Sequence, residues 1–138
     1  MIKILSAVES GTLLHIVYRL SDFRSGRQDI APDDQFLQCA ALKLPEGKTF
    51  RPHKHIYKPG EEKAIAQESW VVLKGRVRVY YYDLDDKIVS EQVLEPGDLS
   101  MTFRGGHNYL ILENDTIVYE FKTGPYYGQA QDKEFIDQ

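Results

Sequence analysis

A chain of 138 residues, 42% of them hydrophobic and 28% charged, has the length of one domain and enough apolar side chains to bury a core. Its net charge of −4 and its scattered arginines exclude the basic stripe of a nucleic-acid-binding surface. One cysteine excludes an internal disulfide and reads as a protein of a reducing compartment, and no run approaches the roughly 18 apolar residues of a membrane span.

The first apolar runs are short and are broken by Glu9 and Gly11, so they do not read as a signal peptide. A cytoplasmic chain with no membrane or nucleic-acid partner is expected. Residues 12–20, TLLHIVYRL, read as the first strand, with His15 as a core or interface histidine. Residues 21–34, rich in Ser, Asp, Gly and Pro, read as a loop. Residues 35–44 form a second strand that carries Cys39 as a small buried hydrophobe. Residues 49–57, TFRPHKHIY, form a third, where Pro52 marks an edge, a bulge or a strand start. Residues 58–67 read as a loop with a helical turn.

Strands then follow on both sides of Gly75. Residues 76–84 and 87–94 make a hairpin closed by a turn at 83–86. Pro96-Gly97-Asp98 is a turn, 99–103 a strand, Gly105-Gly106 a break and 107–113 a strand. After a tight turn at Asn114-Asp115, residues 116–122 alternate Ile117, Tyr119 and Phe121 with Val118, Glu120 and Lys122. The tail 124–138 reads as a loop with one terminal helical turn. Nine or so short strands with little helix predict an all-β sandwich or barrel in a single domain, 1–138. Its parts are N-terminal strands in 1–44, a barrel core at about 45–122 and a tail at 123–138.

On a strand, residues i and i+2 face the same way, so His53 and His55 enter one space. That pair is either metal-binding or part of a polar surface strand. Glu68 and His107 open later strands, and in a barrel such strand starts become neighbours. Three imidazoles and a carboxylate suit Fe, Mn, Ni, Co, Cu or Zn, and spacing does not choose among them. Arg51 and Tyr57 share the parity of the two histidines, which makes Arg51 the leading anion anchor and Tyr57 a wall residue. Arg104 sits near His107 in sequence, and Tyr109 is two residues beyond it. These four are the expected substrate-binding residues. No nucleophile elbow, phosphate loop or dinucleotide fingerprint is present.

GKTFRPHKH and ESWVVLKG, with Gly47, His53, His55, Glu68 and Gly75, resemble the first cupin motif, G(X)5HXH(X)3–4E(X)6G. PGDLSMTFRGGHNYLI resembles the second, G(X)5PXG(X)2H(X)3N, through Gly97 and His107. Twelve residues rather than three or four separate His55 from Glu68, the proline of the second motif is missing, and Ile111 stands in place of its asparagine. The tail looks similar to small bacterial single-domain cupins of the WbuC type, which are associated with surface-polysaccharide pathways. The resemblance implies a double-stranded β-helix, or jelly-roll barrel. It further implies one divalent metal (Fe, Mn, Ni or Zn) on His53, His55, Glu68 and His107, a small-molecule ligand and a homodimer. The implied function is that of a metalloenzyme, an isomerase, epimerase or dioxygenase acting on a small polar, sugar-derived substrate. The alternatives are a non-catalytic sugar- or ligand-binding module and a metal-free nucleotide-sugar ketoisomerase.

Overall fold

Alternating β-branched and aromatic residues, broken by Gly, Pro and Asp, dictate short strands. The computed structural model describes residues 1–58, 60 and 65–137. The strands are β1 (Ile2–Leu5), β2 (Leu13–Val17), β3 (Gly26–Asp29), β4 (Leu37–Leu44), β5 (His53–His55), β6 (Glu68–Lys74), β7 (Val77–Tyr82), β8 (Ile88–Leu94), β9 (Leu99–Thr102), β10 (Gly106–Ile111), β11 (Thr116–Thr123) and β12 (Lys133–Phe135). A single helical turn, α1 (Gln129–Asp132), precedes β12. All pairings are antiparallel. One five-stranded sheet runs β12-β5-β10-β7-β8, and the other runs β3-β4-β11-β6-β9. β1 and β2 form a separate hairpin.

The two sheets pack face to face through residues of one parity. Leu42 and Leu44 of β4, Trp70 and Val72 of β6, and Val118 of β11 meet Val77 and Val79 of β7 and Tyr109 and Ile111 of β10. Burial of these side chains fills one end of the barrel with apolar atoms. The same strands carry polar residues at the other end, and that change of character along the barrel axis creates the site. Gly75 joins β6 to β7 at φ +77°, and a Cβ there would meet the Thr116 hydroxyl oxygen at 2.2 Å. Only glycine fits that crossing.

The all-β architecture and the hairpin β7–β8 agree with expectation. Several details differ. The loop expected over 21–34 contains β3, which pairs with β4. The first expected strand is β2, and it pairs with a strand that the sequence does not predict, β1. His15 is exposed on that hairpin and is not a core residue. Cys39 is half-buried rather than fully packed. The third strand contracts to β5, and Pro52 precedes it as a strand start. The tail adds β12 to the outer side of β5, so β5 is flanked on both sides. Of the loop with a helical turn expected over 58–67, residues 59 and 61–64 lie outside the described residues.

Candidate metal centre

Within β5 the alternation holds: His53 and His55 point inward and are buried. Lys54 points outward and pairs with Asp86 at 2.7 Å. His107 is the cross-strand partner of His53 in the β10–β5 ladder, so both imidazoles rise from one face side by side. Glu68 comes from the opposite sheet. It opens β6 and shares the parity of Trp70 and Val72, which carries its carboxylate inward. The four side chains converge. His53 Nε2 lies 3.1 Å from His107 Nε2. His55 Nε2 lies 3.2 Å from Glu68 Oε2, and His107 Nε2 lies 3.3 Å from Glu68 Oε1. All four ligand atoms fall within 4.8 Å of one another.

The outer face of each ring is occupied. His53 Nδ1–H donates to the Arg51 carbonyl at 3.1 Å, which leaves its Nε2 with a lone pair. His55 Nδ1–H donates to the Asp132 carbonyl at 3.2 Å, and the Asp132 carboxylate lies 3.4 Å from the same nitrogen. His107 Nδ1 is 2.9 Å from the Thr102 hydroxyl. Thr102 is itself the cross-strand neighbour of Glu68 in β9. Holding Nδ1 fixes each ring plane and turns Nε2 inward, as in protein metal sites. Three inward nitrogens and a carboxylate could hold one metal ion, so the donor set fits a divalent transition metal.

Burial and the neighbouring His107 push His53 down to about 3, so its imidazole is neutral at ordinary pH. Burial works against a charge on His55 as well, but Asp132 and Glu68 outweigh it and push His55 up to about 9. Burial also opposes ionisation of Glu68, yet His107 and His55 hold its carboxyl well below the usual range.

A cavity of about 380 Å³ opens beside His53 and Glu68. Trp70 and Tyr109, both buried, line it, and their rings stack on each other 3.9 Å apart at 4°. Phe50 meets Trp70 edge-on. Arg27 binds Glu120 through two bonds of 3.0 and 2.8 Å, and the Trp70 indole N–H also donates to Glu120. Lys122 pairs with Asp132 at 2.8 Å.

Of the residues expected to bind substrate, Tyr109 lines this cavity. Arg51 does not share the inward face. It is exposed, pairs with Asp137 and lies over the Phe135 ring. The alternation rule applies only inside a strand, and β5 starts after Pro52. Tyr57 is likewise beyond β5 and is 47% exposed. Arg104 lines a separate shallow hollow with Leu84, Val89 and Phe103. Sequence reading missed Glu120 and Lys122, although they share the parity of core Val118 on β11. It also missed Asp132 and Lys133 in the tail, for which the sequence carries no periodic signal.

No protein-family model and no curated protein matches the chain. Solved structures do resemble it. BH2720 from Bacillus halodurans aligns at 17% identity and a TM-score of 0.62, over 83% of this chain and 84% of its own. An uncharacterized conserved protein with a double-stranded beta-helix domain from Klebsiella pneumoniae aligns at 13% and 0.57, over 87% and 90%. KdgF from a Halomonas species aligns at 22% and 0.54, over 70% and 77%. At these identities the likeness concerns the fold, which is the cupin-type double-stranded β-helix.

Proposed function

We propose that this protein is a metal-binding cupin that holds one divalent transition metal (Fe, Mn, Ni or Zn) on His53, His55, Glu68 and His107. In this reading it is a small metalloenzyme of the isomerase, epimerase or dioxygenase type. The observation that carries the reading is the 3.1 Å approach of two Nε2 atoms whose rings are anchored from outside. Two such nitrogens either share one proton or turn both lone pairs to one cation. A bound ion supplies Lewis-acid chemistry, and iron supplies oxygen chemistry as well.

The chain's own residues do the rest. Trp70 and Tyr109 supply an aromatic lining for a small polar body such as a sugar derivative. The Arg27–Glu120 pair, held against the Trp70 indole N–H, keeps the adjoining wall polar and fixed. The resemblance to WbuC-type cupins, the cytoplasmic setting and a homodimer belong to the same reading. The exposed Leu99, Met101 and Val89 on the edge strands β9 and β8 support the dimer, and sedimentation tests it. No described helix is long and apolar enough to cross a membrane.

The test is chemical. Metal-loaded protein is incubated with small hydroxyaldehydes and hydroxyketones in heavy water, and exchange next to the carbonyl is followed by proton NMR. Oxygen uptake is followed in parallel with iron-loaded protein. Exchange that His107→Ala abolishes supports the isomerase. Oxygen uptake supports the dioxygenase. Saturable ligand binding with neither activity establishes the binding module and contradicts the enzyme. Exchange that persists in metal-free protein points to the ketoisomerase alternative, with neutral His53 as general base.

A further inference from the structure

Beyond the four converging side chains, the charged residues lining the cavity are Arg27, Asp29, Asp33, Glu120, Lys122 and Lys133. Most of that charge is already spoken for. Arg27 binds Glu120 with two bonds and Asp29 with a third. Lys122 binds Asp132 and sits over the Tyr126 ring at 4.6 Å. Asp33 is exposed at the rim. Lys133 differs: among the described residues its ammonium has neither an ion-pair nor a hydrogen-bond partner, although the residue is half-buried.

Its position is built into the fold. Lys133 is the register partner of His55 in the β12–β5 ladder, so it points to the same inward side. The residue before it, Asp132, is buried against His55 and Lys122. Three residues on, the buried Ile136 packs where Gly106 leaves room. An unpaired ammonium drawn partly out of water is costly, and an anion offsets that cost. Glu68 cannot, since its carboxylate faces His55 and His107.

We propose that Lys133 is the anion-recognising residue of this cavity and that the ligand is a small carboxylate lying against Trp70 and Tyr109. A single ammonium matches one carboxylate. A phosphate, with more charge and three acceptor oxygens, calls for several donors, and the other cations of the cavity, Arg27 and Lys122, are already paired. This inference deepens the metal-site reading, on which it rests for the ligand's other end. It moves the anion anchor from the exposed Arg51, ahead of β5, to Lys133 on the tail strand.

The test uses Trp70, the sole tryptophan, as a fluorescent reporter inside the cavity. Lactate, lactamide and inorganic phosphate are titrated into the full chain, zinc-loaded and metal-free. The parent, Lys133→Gln and Lys133→Arg are compared, and elemental analysis gives the metal content of each. The expected result is a preference for lactate over lactamide of about tenfold or more, lost in Lys133→Gln and largely kept in Lys133→Arg, with unchanged metal content. Equal binding of lactate and lactamide by the parent, a preference that survives in Lys133→Gln, tighter binding of phosphate, or no saturable signal would overturn it. A Lys133-dependent lactate preference without metal uptake sinks the metal reading and leaves the anion assignment standing. Full metal uptake without that preference does the reverse.

Discussion

Thr102 shows how one hydroxyl can govern a site without entering it. It is buried, 2.9 Å from His107 Nδ1, and neighbours Glu68 in the ladder. Thr102→Val keeps its shape and removes the anchor. Metal affinity is expected to fall about tenfold, measured by competition with a chromogenic chelator, while thermal stability stays near the parent's. Unchanged affinity would mean that His107 is oriented by packing alone. Cys39 gives a second prediction at this scale. Burial and the nearby Glu120 push its thiol up to about 11. A raised thiol pKa leaves the reactive thiolate scarce below it, about one part in ten thousand at pH 7. Iodoacetamide should therefore label Cys39 slowly at neutral pH, with a rate that climbs until about pH 11. Fast labelling at pH 7 would contradict the placement of the thiol.

The element that matters most beyond the barrel strands is β12. It covers the outer side of β5, brings Asp132 to His55 across 77 residues of chain, and places Lys133 in the cavity. A Cβ on Gly106 would meet Ile136 Cδ1 at 2.3 Å and the His53 carbonyl oxygen at 3.2 Å. Gly106→Val should push Ile136 out and loosen the tail strand. Hydrogen exchange of the β12 amides should accelerate, and metal binding should weaken with it. Unchanged protection of β12 would show that its ladder, and not Ile136, holds it. This strand was hidden in the sequence for a physical reason. QDKEF is short and charged and has no apolar alternation, so its pairing is decided by distant partners. His53 and His55 were legible because alternation within a strand needs only local sequence, whereas Glu68 and His107 were reached as the openings of later strands and through motif spacing. Arg51 was misplaced because alternation was carried across Pro52, beyond where β5 begins.

At the scale of the molecule, the barrel is apolar at one end and polar at the other. Repeating strands and turns made the all-β class readable from sequence. The hairpin β1–β2 stands apart from both sheets, and its pairing was not readable from so short an apolar run as IKIL. The site ties the sheets together: His53, His55 and His107 belong to one and Glu68 to the other. An ion bound between them should act as a clamp. Metal at about a hundredfold over its dissociation constant should add about 2.7 kcal/mol to stability and raise Tm by several degrees. A melting temperature indifferent to metal would argue against that linkage.

The most direct measurement is elemental analysis of the purified protein after reconstitution with Fe, Mn, Ni and Zn in turn, beside a His53→Ala/His107→Ala variant shown by circular dichroism to keep its β-sheet. The account predicts close to one metal ion per chain in the parent and almost none in the variant. A parent that takes up no metal under any of these conditions, or a variant that holds as much as the parent, would contradict it.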